Sequence, residues 1–228
     1  ANAYLRGGDA SKALLEVDLG LKESPKDVPL LIMRGKALFE LERLEEAKTA
    51  FDQAVTAGKS LEARSLTEAH LGLAIIATRT KDYPSAKTQF TKLIALNPRD
   101  VHARINLARV CLQAGDMKCA IEHGEQAGRM KGNAEDVLFT LGRIYTVAKK
   151  YDDAEKTFQH ICDIIPKASS CPYGVALVAA QKGDKAKALA KLKEAVALKL
   201  PHPEKLAEDP LLAPLKDDED FKKLASKP

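Results

Sequence analysis

The stretch Leu141–Phe158, LGRIYTVAKKYDDAEKTF, decides the fold. A Leu-Gly pair is followed by a Tyr three residues after the glycine, an Ala nine residues after the tyrosine and a Phe four residues further on. These intervals are typical of two antiparallel helices, because Gly or Ala lies where two helix axes approach most closely and aromatic side chains fill the spaces beside them. The intervening Lys-Tyr-Asp, residues 150–152, supplies the capping residues of a turn.

The alanine of this stretch recurs along the whole chain. It belongs to a series with intervals of 34, 39, 34, 34 and 34 residues, formed by Ala13, Ala47, Ala86, Ala120, Ala154 and Ala188. Four residues after each alanine comes one of Val17, Phe51, Phe90, Gly124, Phe158 and Leu192. Self-similarity at such a period predicts stacked structural repeats that bury their apolar faces against their neighbours.

The pattern resembles the tetratricopeptide repeat, whose 34-residue signature is W-x₂-L-G-x₂-Y…A-x₃-F…P. Residues 138–166 match it almost completely, with Leu138 in the Trp position, whereas the fourth repeat departs from it at Cys111, Gly124 and Gly132. The resemblance implies an all-α, right-handed superhelical solenoid of about six helix–turn–helix repeats. We expect them at about residues 1–26, 27–65, 66–100, 101–134, 135–168 and 169–200, with a longer loop or an added helical turn near residues 57–66.

The two ends of the chain differ from the other repeats. Only Ala1–Arg6 precede the first turn, so we expect an incomplete first repeat whose open end is covered by further repeats or by self-association. Residues 201–228 leave the register. They predict a C-terminal capping segment whose apolar side chains cover the last helix pair, namely Leu211, Leu215, Phe221 and Leu224.

Composition and motifs exclude several classes of function. The net charge is +4, from 36 basic and 32 acidic residues that are interleaved, so no nucleic-acid partner is predicted. No run of 18 apolar residues predicts a membrane span. No phosphate loop, nucleophile elbow or zinc-protease motif occurs, so neither an enzyme nor a cofactor is predicted. Cys119 and His123 could supply two metal ligands, which do not make a site.

The four cysteines lie in pairs beside turns. Cys162 and Cys171 flank the turn between repeats 5 and 6, and Cys111 and Cys119 flank the turn within repeat 4, so both pairs are candidate disulfides. The alternative is four free, buried thiols in a reducing cytosol. A bridge would indicate an oxidising compartment, and on this ground a bacterial periplasm or envelope is favoured over the cytoplasm.

First helices line the concave side of a repeat solenoid and form its binding groove. Apolar side chains in register predict the floor of this groove, and Arg109 and Arg143, which share one slot in adjacent repeats, predict a partner with acidic groups. The alternative is that the apolar row packs between helices and the arginines are solvated. The full set of candidate groove residues is Ile32, Lys36, Phe39, Leu71, Ile105, Asn106, Arg109, Phe139, Arg143 and Tyr173.

A non-enzymatic scaffold is the function that this pattern predicts. It would bind a peptide segment or protein surface in the groove, as part of a multiprotein assembly. The two-carboxylate clamp of chaperone-tail binders is not matched, because only Asn106 fits it. Two alternatives stay open: an envelope assembly factor, periplasmic or a lipoprotein, that resembles pilotin-like repeat proteins, and a regulatory repeat domain of a larger protein with its catalytic chemistry elsewhere.

Overall fold

The computed structural model describes residues 2–58 and 66–226, so most of the expected insertion at 57–66 lies outside the described residues. Within these ranges the chain is helical and contains no strand. It divides into two compact units, residues 1–114 (unit 1) and 115–228 (unit 2), which are described separately. No helix in these ranges is both long enough and apolar enough to cross a membrane.

Unit 1 consists of seven helices, paired as the repeat register predicts. The five residues of α1 are far fewer than the 13 of α3, so the first repeat has a short first helix. Helix α3 packs on α4, and α5 packs on α6. The bounds are α1 Asn2–Arg6, α2 Ala10–Glu23, α3 Val28–Glu40, α4 Leu44–Ala57, α5 Thr67–Arg79, α6 Tyr83–Leu96 and α7 Val101–Gln113.

Unit 2 continues the helix pairs and ends in a different kind of segment. Helix α9 packs on α10, and α11 packs on α12. The bounds are α8 Met117–Met130, α9 Glu135–Val147, α10 Tyr151–Ile164, α11 Ser170–Lys182 and α12 Lys185–Ala197, then 3₁₀ helices at Pro203–Glu208 and Pro210–Leu215, and α13 Glu219–Ala225. The segment 203–215 is called the terminal segment below. Its prolines lack the N–H that an α-helix needs and favour short 3₁₀ turns instead.

The turns inside the repeats confirm the register independently of the alanines. A left-handed residue, with φ between +58° and +83°, lies five residues before each alanine of the series: Gly8, Glu42, Lys81, Gly115, Lys149 and Gly183. Three of the six are glycine, which adopts this conformation without steric cost. The second helix of most repeats then starts at an Asp whose carboxylate accepts a backbone N–H, as Asp82 does from Ser85.

The small residues of the signature are buried where the helices meet. All six alanines of the series have no exposed surface. A Cβ on Gly142 would come within 2.6 Å of the Phe158 ring, and one on Gly35 equally close to the Phe51 ring. The Leu-Gly pair is therefore explained by an aromatic ring that occupies the place of a side chain.

Each of these rings also meets a glycine of the following repeat. Gly174 on α11 faces the Phe158 ring, and Gly72 on α5 faces the Phe51 ring, where a Cβ would lie 2.5 Å away. The ring therefore fills a space left by two glycines, one in its own repeat and one in the next. Sequence analysis did not identify this second glycine, although it follows the phenylalanine by 16 residues in one case and by 21, across the longer interval, in the other.

The C-terminal residues cap the last helix pair, as expected. Leu215 and Leu212 are fully buried, and they pack in one cluster with Leu177 of α11 and Leu192 of α12. Phe221 and Leu224 of α13 join the same cluster. The expected α-helical cap is largely replaced by the two 3₁₀ helices of the terminal segment.

Candidate functional site

An open cavity lies on the first-helix face of unit 1. It has a volume of ≈ 360 Å³ and lies between α3 and α5, and we call it the α3–α5 cavity. Lys36, Phe39 and Leu71, three of the predicted groove residues, line it. The complete lining is Leu5, Lys36, Phe39, Glu40, Phe51, Glu68, Leu71, Gly72 and Ile75.

The apolar part of the cavity is open to solvent. Leu71 and Ile75 lie one turn apart on α5 and are 39% and 41% exposed, which is unusual for large apolar residues inside a repeat. Gly72 lies beside them and leaves the Phe51 ring accessible to the cavity, because no side chain covers that ring there. The result is an apolar depression with two partly exposed aliphatic side chains.

Ion pairs form the polar part of the cavity. The Lys36 ammonium lies 2.9 Å from a Glu68 carboxylate oxygen, and both side chains are roughly half exposed. Arg79 stacks over the Phe39 ring at 5.7 Å and also pairs with Glu42. Exposed ion pairs contribute little to stability, so these charges can exchange their partners at little cost.

Four predicted groove residues lie elsewhere in unit 1. Ile32 and Ile105 are only 5% and 2% exposed, so they pack between helices, which is the alternative stated above. Arg109 is exposed on α7 and donates a hydrogen bond to the Asn106 amide oxygen at 3.2 Å. A role for Arg109 and Asn106 in partner binding stays a prediction.

The corresponding face of unit 2 is occupied by the terminal segment. Arg143 of α9 donates hydrogen bonds from both terminal guanidinium nitrogens to the two oxygens of Asp209. The Tyr173 hydroxyl donates to the same carboxylate at 2.6 Å, and the Leu211 backbone N–H donates to it at 3.0 Å. Phe139 stacks on Tyr173 with ring centroids 5.7 Å apart. The three predicted groove residues of unit 2 therefore come together around a carboxylate of the chain itself.

A side chain also holds the backbone of this segment. The Gln181 amide nitrogen donates a hydrogen bond to the Leu211 carbonyl at 2.7 Å. Sequence analysis identified neither Gln181 nor Asp209, because their contacts join residues 30 and 66 positions apart. Gln181 lies seven residues before Ala188, on the first helix of its repeat, and this position was the only available signal.

The electrostatics of this cluster favour an ionised Asp209. Burial by itself would raise the pKa of Asp209, but the hydrogen bonds from Arg143, Tyr173 and the Leu211 N–H outweigh burial and hold the pKa below its ordinary value. Burial and the hydrogen bond to Asp209 both raise the pKa of Tyr173, so its hydroxyl stays protonated as a donor. Burial would lower the pKa of Arg143, and Asp209 more than compensates.

The cysteines are in the bonded state. Cys162 on α10 and Cys171 on α11 lie at disulfide distance, with Cα atoms 5.3 Å apart. Cys111 and Cys119 are also disulfide-bonded, so the described residues contain no free cysteine.

Comparison with known proteins agrees with this architecture. The family model described as Tetratricopeptide repeat matches residues 32–86 and 71–135. Among solved structures, a tetratricopeptide repeat protein from Parabacteroides merdae superposes with a TM-score of 0.78 at 16% identity, covering 98% of this chain and 94% of that one. YrrB, described as a TPR protein with an unusual peptide-binding site, gives a TM-score of 0.62 at 20% identity, covering 82% and 93%.

One curated relative is much longer than this chain. Anaphase-promoting complex subunit 3 of Schizosaccharomyces pombe is 29% identical over 118 residues, which are 52% of this chain. The match spans only 18% of that protein. With the matched family model, the periodic alanines and left-handed turns, and the similar solved structures, the evidence is consistent: the chain belongs to the tetratricopeptide repeat family.

Proposed function

We propose that the chain is a protein-interaction scaffold whose unit 1 binds a peptide segment of a partner in the α3–α5 cavity. The observation that carries the proposal is the pair Leu71 and Ile75, exposed above the Phe51 ring on a helix face that the family uses for peptides. Covering the exposed part of each side chain would contribute about 1 kcal/mol to binding, and the surrounding ion pairs would fix the orientation.

The known relatives support the proposal in general terms. TPR proteins bind protein or peptide partners, and one similar structure is described as having a peptide-binding site. The curated relative is named as a subunit of a complex, which supports a place for this chain in a larger assembly. These similarities give the fold and the class of ligand, and the cavity gives the location.

A selection of displayed random peptides tests the location. We expect wild-type chain to enrich one family of peptides, and the pocket variant Leu71→Asp/Ile75→Asp to lose that enrichment, because two carboxylates in an apolar depression must be desolvated by any apolar ligand. The measurement is the fraction of the selected peptide that remains bound, compared at equal protein concentration.

A matched control lies on α2 of the same unit. Leu15 and Leu19 are 63% and 51% exposed, are also one turn apart, and do not line the cavity. Leu15→Asp/Leu19→Asp should retain the wild-type peptide family. Circular dichroism spectra confirm that both variants are folded. Equal enrichment by the pocket variant and the wild type would contradict the proposal.

A second candidate function, assembly factor in a bacterial envelope, is favoured by the disulfides. Bonded cysteines are typical of oxidising compartments. Thiol titration of the unfolded, unreduced protein from its native host should detect no free thiol if this is the compartment, whereas four free thiols would contradict it. Reduction of the Cys162–Cys171 loop, with a separation of 9 residues, should then lower the free energy of unfolding by about 2–3 kcal/mol.

A further inference from the structure

The terminal segment contacts unit 2 in the way that a bound peptide contacts a receptor. Its one buried carboxylate, 8% exposed on Asp209, receives two donors from Arg143 and one from Tyr173. Its backbone is held by Gln181, and the leucines that follow the carboxylate are buried. The sequence that makes these contacts is Asp-Pro-Leu-Leu, residues 209–212.

The residues that hold this segment have counterparts in unit 1 at the same positions of the repeat. Arg143 lies 11 residues before Ala154, and Lys36 lies 11 before Ala47. Tyr173 and Leu71 both lie 15 residues before the alanine of their repeats, and Gln181 and Arg79 both lie seven before it. In each unit the three positions belong to two consecutive first helices, α9 and α11 in unit 2, and α3 and α5 in unit 1.

In unit 1 these positions surround an open cavity instead of a segment of the chain. Lys36 and Leu71 line the α3–α5 cavity, and Arg79 lies over the ring of Phe39, which also lines it. A cation thus replaces the cation of unit 2, an exposed leucine replaces the tyrosine, and a second donor replaces the glutamine. Glu40 and Glu68 line the cavity too, so the selectivity for a carboxylate comes from the position of Lys36 and not from net charge.

We infer that the α3–α5 cavity binds a short segment of a partner protein in which an acidic residue is followed closely by leucine-like side chains, the same chemistry as Asp-Pro-Leu-Leu of the terminal segment. This inference rests on the proposed function and names its ligand class. The partner carboxylate takes the place of Glu68 at Lys36, since that exposed pair is weak. Arg79 donates to a backbone carbonyl, and the aliphatic side chains cover Leu71 and Ile75.

The ligand is a segment of another protein and not the terminal segment of a second copy. Leu212 and Leu215 have no exposed surface in this chain, so a copy could offer its own segment only by uncovering its core. We therefore expect the chain to be monomeric by light scattering under the conditions of the binding experiment. A dimer that is lost in Leu71→Asp/Ile75→Asp would overturn the inference.

A synthetic peptide with the sequence of residues 207–215, AEDPLLAPL, is the probe, carrying a fluorophore and titrated with the full chain. We expect saturable binding that weakens about tenfold when the peptide Asp is replaced by Lys, and to a similar extent in Lys36→Glu. The Lys peptide should recover most of its affinity for Lys36→Glu, because the pair is then restored with the charges reversed. Lys12→Glu on α2, away from the cavity, should bind like wild type.

The outcomes separate this inference from the proposed function. Binding that is lost in Leu71→Asp/Ile75→Asp, but is equal for the Asp, Asn and Lys peptides, would overturn the acidic ligand class and leave the proposed cavity standing. Binding that survives this pocket variant, or no binding of any of these peptides at millimolar concentration, would overturn the inference. The selection of random peptides then decides the proposed function independently.

Discussion

Replacement of Asp209 by alanine should lower the free energy of unfolding by about 3 kcal/mol. The substitution leaves the Arg143 guanidinium, whose side chain is only 26% exposed, without its carboxylate. It also removes the acceptor of the Tyr173 hydroxyl and of the Leu211 N–H. Breaking a buried pair at one partner is strongly destabilising because the other charge remains desolvated. Urea denaturation followed by circular dichroism measures the change.

A matched control exists in the same C-terminal region. Asp220 pairs with Lys193 at 2.8 Å, but both side chains are about half exposed. Asp220→Ala should therefore change stability little, since exposed ion pairs are screened by water. If the two substitutions had equal effects, Asp209 would not anchor the terminal segment.

The contribution of Asp209 should also depend on pH in a defined direction. Its folded-state pKa lies below the ordinary value of 3.8, so its stabilisation is fully present above that value and is lost as the pH falls through the folded-state pKa. The difference in unfolding free energy between wild type and Asp209→Asn should thus be constant between about pH 5 and pH 7 and should shrink below about pH 4. A difference that grew on acidification would contradict an ionised Asp209.

Replacement of Phe158 by alanine should lower the free energy of unfolding by about 4 kcal/mol. This ring has no exposed surface and fills the space between Gly142 of its own repeat and Gly174 of the next. Its removal leaves a cavity at the point where two repeats meet, and helices cannot collapse fully into such a cavity. Thermal and urea denaturation both measure the loss.

A double-mutant cycle tests the reason for this effect. Gly174→Ala alone should destabilise the chain, because its Cβ would collide with the Phe158 ring. In the Phe158→Ala background the same methyl group should be tolerated or stabilising, since the ring is gone and Ala favours the helix. Additive effects of the two substitutions would show that the glycine and the ring are not coupled.

The periodic features of the fold could be predicted from the sequence because each depends on local chemistry. Ala154 and Gly142 mark close approaches of two helices that are neighbours in sequence, and Gly115 and Gly183 mark left-handed turns. The partner of Gly174 could not be predicted in this way, since Phe158 belongs to the preceding repeat. The published form of the signature does not include that position.

The binding face was predicted in outline but not in the state of each residue. Leu71 and Ile105 occupy the same position of the repeat, yet one is 39% exposed and the other is 2% exposed. The register fixes the direction of a side chain, whereas its burial depends on neighbouring helices that the pattern does not specify. For the same reason Arg143, predicted to bind an acidic partner, is paired with Asp209 of its own chain.

The most direct measurement of the central claim is a methyl NMR titration of the full chain with a peptide obtained from the selection. The methyl signals of Leu71 and Ile75 should shift most on binding, because both side chains line the α3–α5 cavity. The signals of Leu15 and Leu19, which lie outside the cavity, and of the buried Leu212 and Leu215 should stay in place. Shifts confined to those four leucines, with Leu71 and Ile75 unchanged at saturation, would contradict a peptide site between α3 and α5.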